Sequence, residues 1–399
     1  MSWEPLEARL AALQASHRER VLRDWTPDPQ AGFLRVDGQK MLDLASNDYL
    51  GLSRQTWNLD HAADFLRGFD GANIVLDALN RYGSGASRLI TGNDPVYAVL
   101  EREIARLKGT RAALVFNSGV AANSGVIPAL VGRGDAVFSD ELNHASIIDG
   151  VRLSRAQSHI FPHRDLVALE GQLRASTAPH KLIVTDALFS MDGTLAPLPE
   201  LVALKRKYGA WLMVDEAHTG GVYGEAGAGL AHAQGVAAEI DVLMGTFGKA
   251  YGSVGAYIAG DAVLIRYLLN TARTFIFTTG LPPANIAHSL LNVRLAQTMD
   301  AERGQLHANA AQFRRVLAGR GYDLAGSESQ VIPVVLGAEE LTLARAAELR
   351  EQGFGAVAIR PPTVPAGSAR IRFALSAAHR WEDLAACLAA VGEREACGV

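Results

Sequence analysis

Trp211-Leu212-Met213-Val214-Asp215-Glu216-Ala217-His218 runs four apolar residues straight into a cluster of ionisable ones. An apolar run of that length, bounded by polar residues, reads as a buried strand. A carboxylate at the C-terminal end of such a strand stands where open α/β sheets hold their ligands. Similar runs occur at 112–116, 135–139, 181–185, 241–245 and 254–259, separated by helix-length segments such as 144–155, 165–175 and 198–208. Near-continuous apolar strands alternating with helices predict an α/β fold with a mostly parallel sheet covered on both faces. Asp94-Pro95 opens a helix that Gly109 closes, the expected cap chemistry.

Beyond Pro282-Pro283 the texture changes. A helical region over 284–319 leads to strands near 331–336, 355–359 and 370–375, with helices at 339–352 and 381–391, which predicts a smaller α+β domain. On the N-terminal side, Leu6, Leu10, Leu13, Val21 and Leu22 predict an amphipathic helix within 5–24. Two short apolar runs around Asp37-Gly38 predict a hairpin over 33–42. The expected divisions are 1–55, an N-terminal helix and hairpin; 56–285, the large domain; and 286–399, the small C-terminal domain.

Composition narrows the function. The 399 residues are 49% hydrophobic and 20% charged, enough apolar surface for a large core. Lys and Arg number 38 against 42 Asp and Glu, a net charge of −4, so nothing points to nucleic acid or an anionic membrane as partner. The two cysteines, Cys387 and Cys397, sit together near the C-terminus and fit a reducing compartment. Met1-Ser2-Trp3-Glu4-Pro5 lacks the basic-then-apolar pattern of a signal peptide. The charge-free stretch 112–132 holds Asn117, Ser118, Asn123, Ser124 and Pro128, which reads as strand, turn and buried helix rather than a membrane span. A cytoplasmic protein acting on small molecules is the expectation.

Asp215 and His218 alone are weak evidence, since an acid and a histidine often cap a turn. Their tetrad also matches an element of nucleic-acid helicases, but such a motor needs Gly-x-x-x-x-Gly-Lys-Ser/Thr. Gly245-Thr246-Phe247-Gly248-Lys249-Ala250 lacks the upstream glycine, and Ala250 stands where a magnesium-binding hydroxyl is needed. Lys249 has a better use. Among Gly248, Ala250 and Gly252 its amine can be desolvated, which lowers its pKa and favours a Schiff base, although a snorkelling surface lysine is the commoner fate. A carbonyl cofactor with a pyridine ring and a phosphate needs a lysine, an acid and phosphate donors. Asn117-Ser118-Gly119-Val120-Ala121, between a strand and a helix, offers free backbone N–H groups for a phosphate, and equally an ordinary turn. His144 begins a helix after another strand, where its ring can stack on a cofactor or its neighbourhood can simply cap that helix. Ser190, in Phe189-Ser190-Met191-Asp192-Gly193, follows a further strand end.

The order His144, Ser190, Asp215-x-x-His218, Thr246-x-x-Lys249 resembles the α-oxoamine synthase family of fold-type I pyridoxal-phosphate enzymes. Further landmarks are Ser46 to Leu52, Gly83 to Gly92, Thr278 to Pro283 and Ile359 to Pro365, so the resemblance runs nearly end to end. Segment 359–372 is most similar to the biotin-pathway branch that joins L-alanine to a pimeloyl thioester; glycine-using acyltransferases of the family and an aminotransferase are the alternatives. By resemblance, Lys249 holds pyridoxal 5'-phosphate covalently, Asp215 faces its ring nitrogen and His144 stacks on the ring. Ser190 and His218 hold its phenolic oxygen, while Gly119, Val120 and Thr246 hold its phosphate. Asn47 and Arg372 grip the amino-acid carboxylate, and Arg23 and Thr363 contact substrate. The family also implies a homodimer with sites at the interface, where Thr278-Thr279 reaches the neighbour's phosphate. No metal is implied.

Overall fold

In the computed structural model, residues 3–394 are described. Strands run over Trp25–Pro27 (β1), Phe33–Val36 (β2), Gln39–Asp43 (β3), Ala112–Phe116 (β4), Ala136–Asp140 (β5), Gln157–Phe161 (β6), Lys181–Asp186 (β7), Trp211–Asp215 (β8), Val242–Thr246 (β9), Ala256–Gly260 (β10), Val331–Gly337 (β11), Phe354–Gly355 (β12), Val357–Ile359 (β13) and Ala369–Ala374 (β14). They group into two compact units, one of 50–189 and 195–303, the other of 1–49, 190–194 and 304–399.

The larger unit holds a seven-stranded sheet in the order β4-β10-β9-β8-β7-β5-β6. β6, β5, β7, β8 and β9 pair parallel in turn, and only β10 runs against both its neighbours. The expected apolar strands are all present, and β8 and β9 are buried along nearly their whole length. A core of Leu114, Phe116, Val126, Ile127, Val137, Ile147, Leu182, Met213 and Met244 joins one face of this sheet to its helices. Asp94 caps the helix Pro95–Leu107 by accepting from the Val96 N–H, as its sequence implied. Residues 112–132 form β4, a turn and the helix Gly119–Leu130. Among the described residues no helix is long and apolar enough to cross a membrane.

In the second unit, β1-β2-β3-β12 form one sheet and β11-β14-β13 another. The predicted hairpin is β2 and β3, with Asp37 at φ 50° and Gly38 at φ 78° making the turn. β3 pairs with β12, which ties the N-terminal segment to residues beyond 303. The divisions 1–55, 56–285 and 286–399 therefore do not coincide with these units. The helix Pro283–Gln297 belongs to the larger unit, where its buried face packs on the helix Pro95–Leu107.

Two expectations need correction. The N-terminal helix spans only Glu4–Ala15 and buries no residue. Ser16 ends it by turning its hydroxyl back to the Ala12 carbonyl at 2.8 Å, and His17 adopts φ 55°. The expected run 284–319 is two helices, Pro283–Gln297 and Asp300–Gly319. Cys387 is buried, and burial raises its thiol pKa; Cys397 and Met1-Ser2 lie outside the described residues.

Candidate active site

Parallel pairing brings the C-terminal ends of β5, β7, β8 and β9 to one edge of the sheet, with Asp186 level with Asp215 and Asp215 level with Met244. β4 joins the same edge, because Ala256 of β10 pairs with both Phe116 and Thr246. The segments carrying Gly119-Val120, His144, Asp215-His218 and Thr246-Lys249 all leave the sheet here.

Asp215 is only 5% exposed, and both its carboxylate oxygens are engaged. Oδ1 accepts from the Ala217 N–H at 2.9 Å and Oδ2 from Asn123 Nδ2 at 2.8 Å. Asn123 also donates to Ser146 Oγ at 2.9 Å, and Ser146 Oγ lies 2.7 Å from His144 Nδ1. The His144 N–H donates to Asp186 Oδ2 at 2.6 Å. Asp186 is buried, and that burial, reinforced by the nearby Asp215 charge, pushes its carboxyl pKa well up. Burial lowers the His144 pKa; the Lys249 charge works the same way and Asp215 opposes it. Lys249, Asp215, His144 and Asp186 thus share one electrostatic site.

Gly119 starts the helix Gly119–Leu130, which Ser118 caps by accepting from the Ala121 N–H. A Cβ at Gly119 would come 3.0 Å from Met244 Cε, so glycine fits this turn closely against β9. The Val120 side chain is exposed. Thr246 Oγ1 donates to the Gly255 carbonyl at 2.9 Å and accepts from the Gly248 N–H at 3.2 Å. Lys249 is half-buried between Gly248 and the buried Ala250 and Tyr251, and His218 is buried. The chemistry of this donor set fits the expected cofactor: a buried acid, an amine, an imidazole and a helix N-terminus converge on one sheet edge.

The remaining expected residues belong to the second unit. Arg372, on β14, is buried; its Nε donates to the Ser190 carbonyl at 2.6 Å and its Nη2 to Asn47 Oδ1 at 2.9 Å. Tyr49 also donates to Asn47 Oδ1, at 3.1 Å, and burial pushes its phenol pKa up to about 12. Asn47 and Arg372 are thus brought together, and Ser190 joins them through its backbone. Arg23 is exposed, and Thr363 Oγ1 accepts from Arg20 at 3.3 Å.

Three residues in the larger unit carry structure that the motif reading missed. Glu216 turns away from Asp215 and forms a fully buried pair with Lys108 at 2.6 Å, while its other oxygen accepts from the Ala231 N–H. Arg88, within the glycine-rich 83–92 landmark, pairs with Glu101 at 2.6 Å and lies over the Tyr97 ring at 3.9 Å. Asn123 sits in a run of small helical residues that carries no sequence signal for function.

The Aminotransferase class I and II family model matches residues 39–391. An 8-amino-7-oxononanoate synthase from Geobacter metallireducens is 54% identical over 366 residues, 90% of each chain. Among solved structures, a serine palmitoyltransferase from S. paucimobilis with PLP and myriocin bound has a TM-score of 0.86 and 28% identity, covering 98% of this chain and 96% of its own. An 8-amino-7-oxononanoate synthase from Francisella tularensis has a TM-score of 0.71 and 27% identity, covering 88% and 97%. With the family model matching most of its length and an 8-amino-7-oxononanoate synthase 54% identical over 90% of it, the chain belongs to the class I and II aminotransferase family and, within it, to the 8-amino-7-oxononanoate synthase family.

Proposed function

We propose that this chain condenses L-alanine with a pimeloyl thioester, carried by coenzyme A or an acyl-carrier protein, to give 8-amino-7-oxononanoate for biotin synthesis. The observation that carries the reading is the 54% identity to a relative named for that product, spread over 90% of the chain. The cofactor is pyridoxal 5'-phosphate, which when bound supplies an electron sink for charge developing at the alanine α-carbon. Lys249 binds it covalently, and Gly119, Val120 and Thr246 hold its phosphate. Asp215 sets a negative charge against the ring nitrogen and keeps that nitrogen protonated, since an opposite charge favours the charged form. His144 stacks on the ring, while Ser190 and His218 hold the phenolic oxygen.

The Arg372 fork and Asn47 grip the alanine carboxylate. With the cofactor and alanine bound, the Lys249 amine would be the general base that takes the α-proton. The α-carbon then bonds to the acyl carbon, the C–S bond breaks and the thiol leaves. CO2 departs from the former alanine carboxylate, and a proton returns to the α-carbon. Arg23 and Thr363 contact the substrate.

The working form is a cytoplasmic homodimer with its sites at the interface, and Thr278-Thr279 reaches the neighbour's phosphate. Exposed Tyr82, Leu89, Ile90 and Phe277 support this, because their two loops are tied together by Gly280 donating to the Ala86 carbonyl. Exposed apolar patches of this kind mark protein contacts. Mass analysis of the product from alanine and each pimeloyl thioester tests the reading, with Lys249→Ala as control. The expected product is the amino ketone formed with loss of CO2; a keto acid made from alanine with the thioester untouched would instead mean an aminotransferase.

A further inference from the structure

The polar groups behind Asp215 form a chain with a single direction. Asn123 is fully buried, and its amide nitrogen stands 2.8 Å from Asp215 Oδ2. An ionised carboxylate only accepts hydrogen bonds, so the amide must turn its NH2 to Asp215. The same nitrogen lies 2.9 Å from Ser146 Oγ, so its second hydrogen goes there. Having accepted that bond, the Ser146 hydroxyl donates its own hydrogen to His144 Nδ1, 2.7 Å away. The Ser146 backbone N–H points at the same ring nitrogen from 3.2 Å. Two donors aimed at Nδ1 leave no place for a proton on it, and the ring hydrogen sits on Nε2. Burial, which lowers the His144 pKa, favours the same neutral ring.

We infer that Asn123 and Ser146 are positioning residues of the cofactor site, with Asn123 aiming the Asp215 carboxylate and Ser146 locking His144 in the Nε2–H tautomer. The inference rests on the reading above, in which Asp215 faces the cofactor's ring nitrogen and His144 stacks on the ring. Neither residue touches the reacting atoms in this account. They act by fixing the direction of two groups that do, one through each hydrogen of a single amide.

The test uses the intact protein labelled with 15N-histidine, at pH 8, with and without pyridoxal 5'-phosphate. The His144 signals are those lost in His144→Gln. In the unsubstituted protein His144 should show a protonated Nε2 and an unprotonated Nδ1, without averaging between tautomers. Ser146→Ala should give averaged His144 nitrogens and bind the cofactor about fivefold more weakly, the loss expected of one hydrogen bond of average strength. Ser146→Thr, which keeps the hydroxyl, should restore both. A protonated Nδ1 in the unsubstituted protein, or unchanged His144 signals and cofactor affinity in a folded Ser146→Ala, would overturn the inference. The tautomer is read without substrate, so it stands or falls apart from the product assay: a locked ring in a protein that makes no amino ketone would refute the reaction and leave the relay intact.

Discussion

In the proposed reaction Asp215 works through its charge. Both its oxygens accept N–H donors, from Ala217 and Asn123, while the neighbouring Asp186 has its pKa pushed up by burial and by the Asp215 charge. Replacing Asp215 by Asn keeps the shape and removes the charge. An opposite charge moves a pKa by about 1–3 units, so the ring nitrogen should lose its proton and kcat should fall about 10- to 1,000-fold while the cofactor stays bound. Absorbance titration with steady-state kinetics checks this, and an unchanged kcat would remove Asp215 from that role. Asp215, His218 and Lys249 were legible in the sequence because polar residues stand out directly after apolar strands. Asn123 and Ser146 were not, since a small polar residue inside a helix looks the same whether it faces solvent or a buried carboxylate.

At the scale of elements, strand periodicity explains why the acidic pair after β8 divides. Consecutive side chains in extended backbone point to opposite sides, so Asp215 faces the site and Glu216 faces Lys108. Lys108 Nζ also donates to the Ala228 carbonyl at 2.5 Å, and this buried network pins the segment after β8 to Ala228 and to the start of the helix Leu230–Ala233. Removing one partner leaves an uncompensated buried charge, so Lys108→Met should destabilise the fold by about 3–5 kcal/mol, whereas Lys108→Met with Glu216→Leu should recover much of the loss. Urea unfolding of the three proteins measures it, and a double variant no more stable than the single one would contradict the account. Most elements were readable because their strands are apolar throughout. β6 escaped because it is an edge strand with a single buried residue, Phe161, and Gln157-Ser158-His159 carry little strand signal. The leucine spacing over 5–24 overstates the helix, because that spacing alone does not supply a partner to bury the face, and Leu6, Leu10 and Leu13 are all exposed.

For the molecule as a whole, stability should fall in mild acid. His379 is fully enclosed, accepting from the Ser376 N–H at Nδ1 and donating from Nε2 to the Asp43 carbonyl, and burial holds its pKa below the ordinary value of 6.5. Below that value the unfolded chain takes up a proton that the folded ring refuses, so the unfolded state gains, by up to about 1.4 kcal/mol per pH unit until the folded pKa is reached. Asp186, with its raised pKa, contributes the opposite slope, but it does so equally in a variant lacking only the histidine. Between pH 7 and 5.5 the urea midpoint should therefore drop less in His379→Gln than in the unsubstituted protein; equal drops would show that His379 does not titrate in this way. Light scattering should give a dimer near 85 kDa, about twice the 42.5 kDa chain, and a fully active monomer would exclude a shared interface site. The substrate pair is the central claim, and it is tested most directly by kcat/KM for alanine and glycine crossed with acetyl, succinyl and pimeloyl thioesters. Alanine with the pimeloyl thioester should be highest. Neighbouring chain lengths should fall off gradually, because one methylene in an apolar pocket is worth only about 1–3 kcal/mol. Highest values for glycine with an acetyl or succinyl thioester would contradict the account and move the chain to another branch of pyridoxal-phosphate acyl transfer.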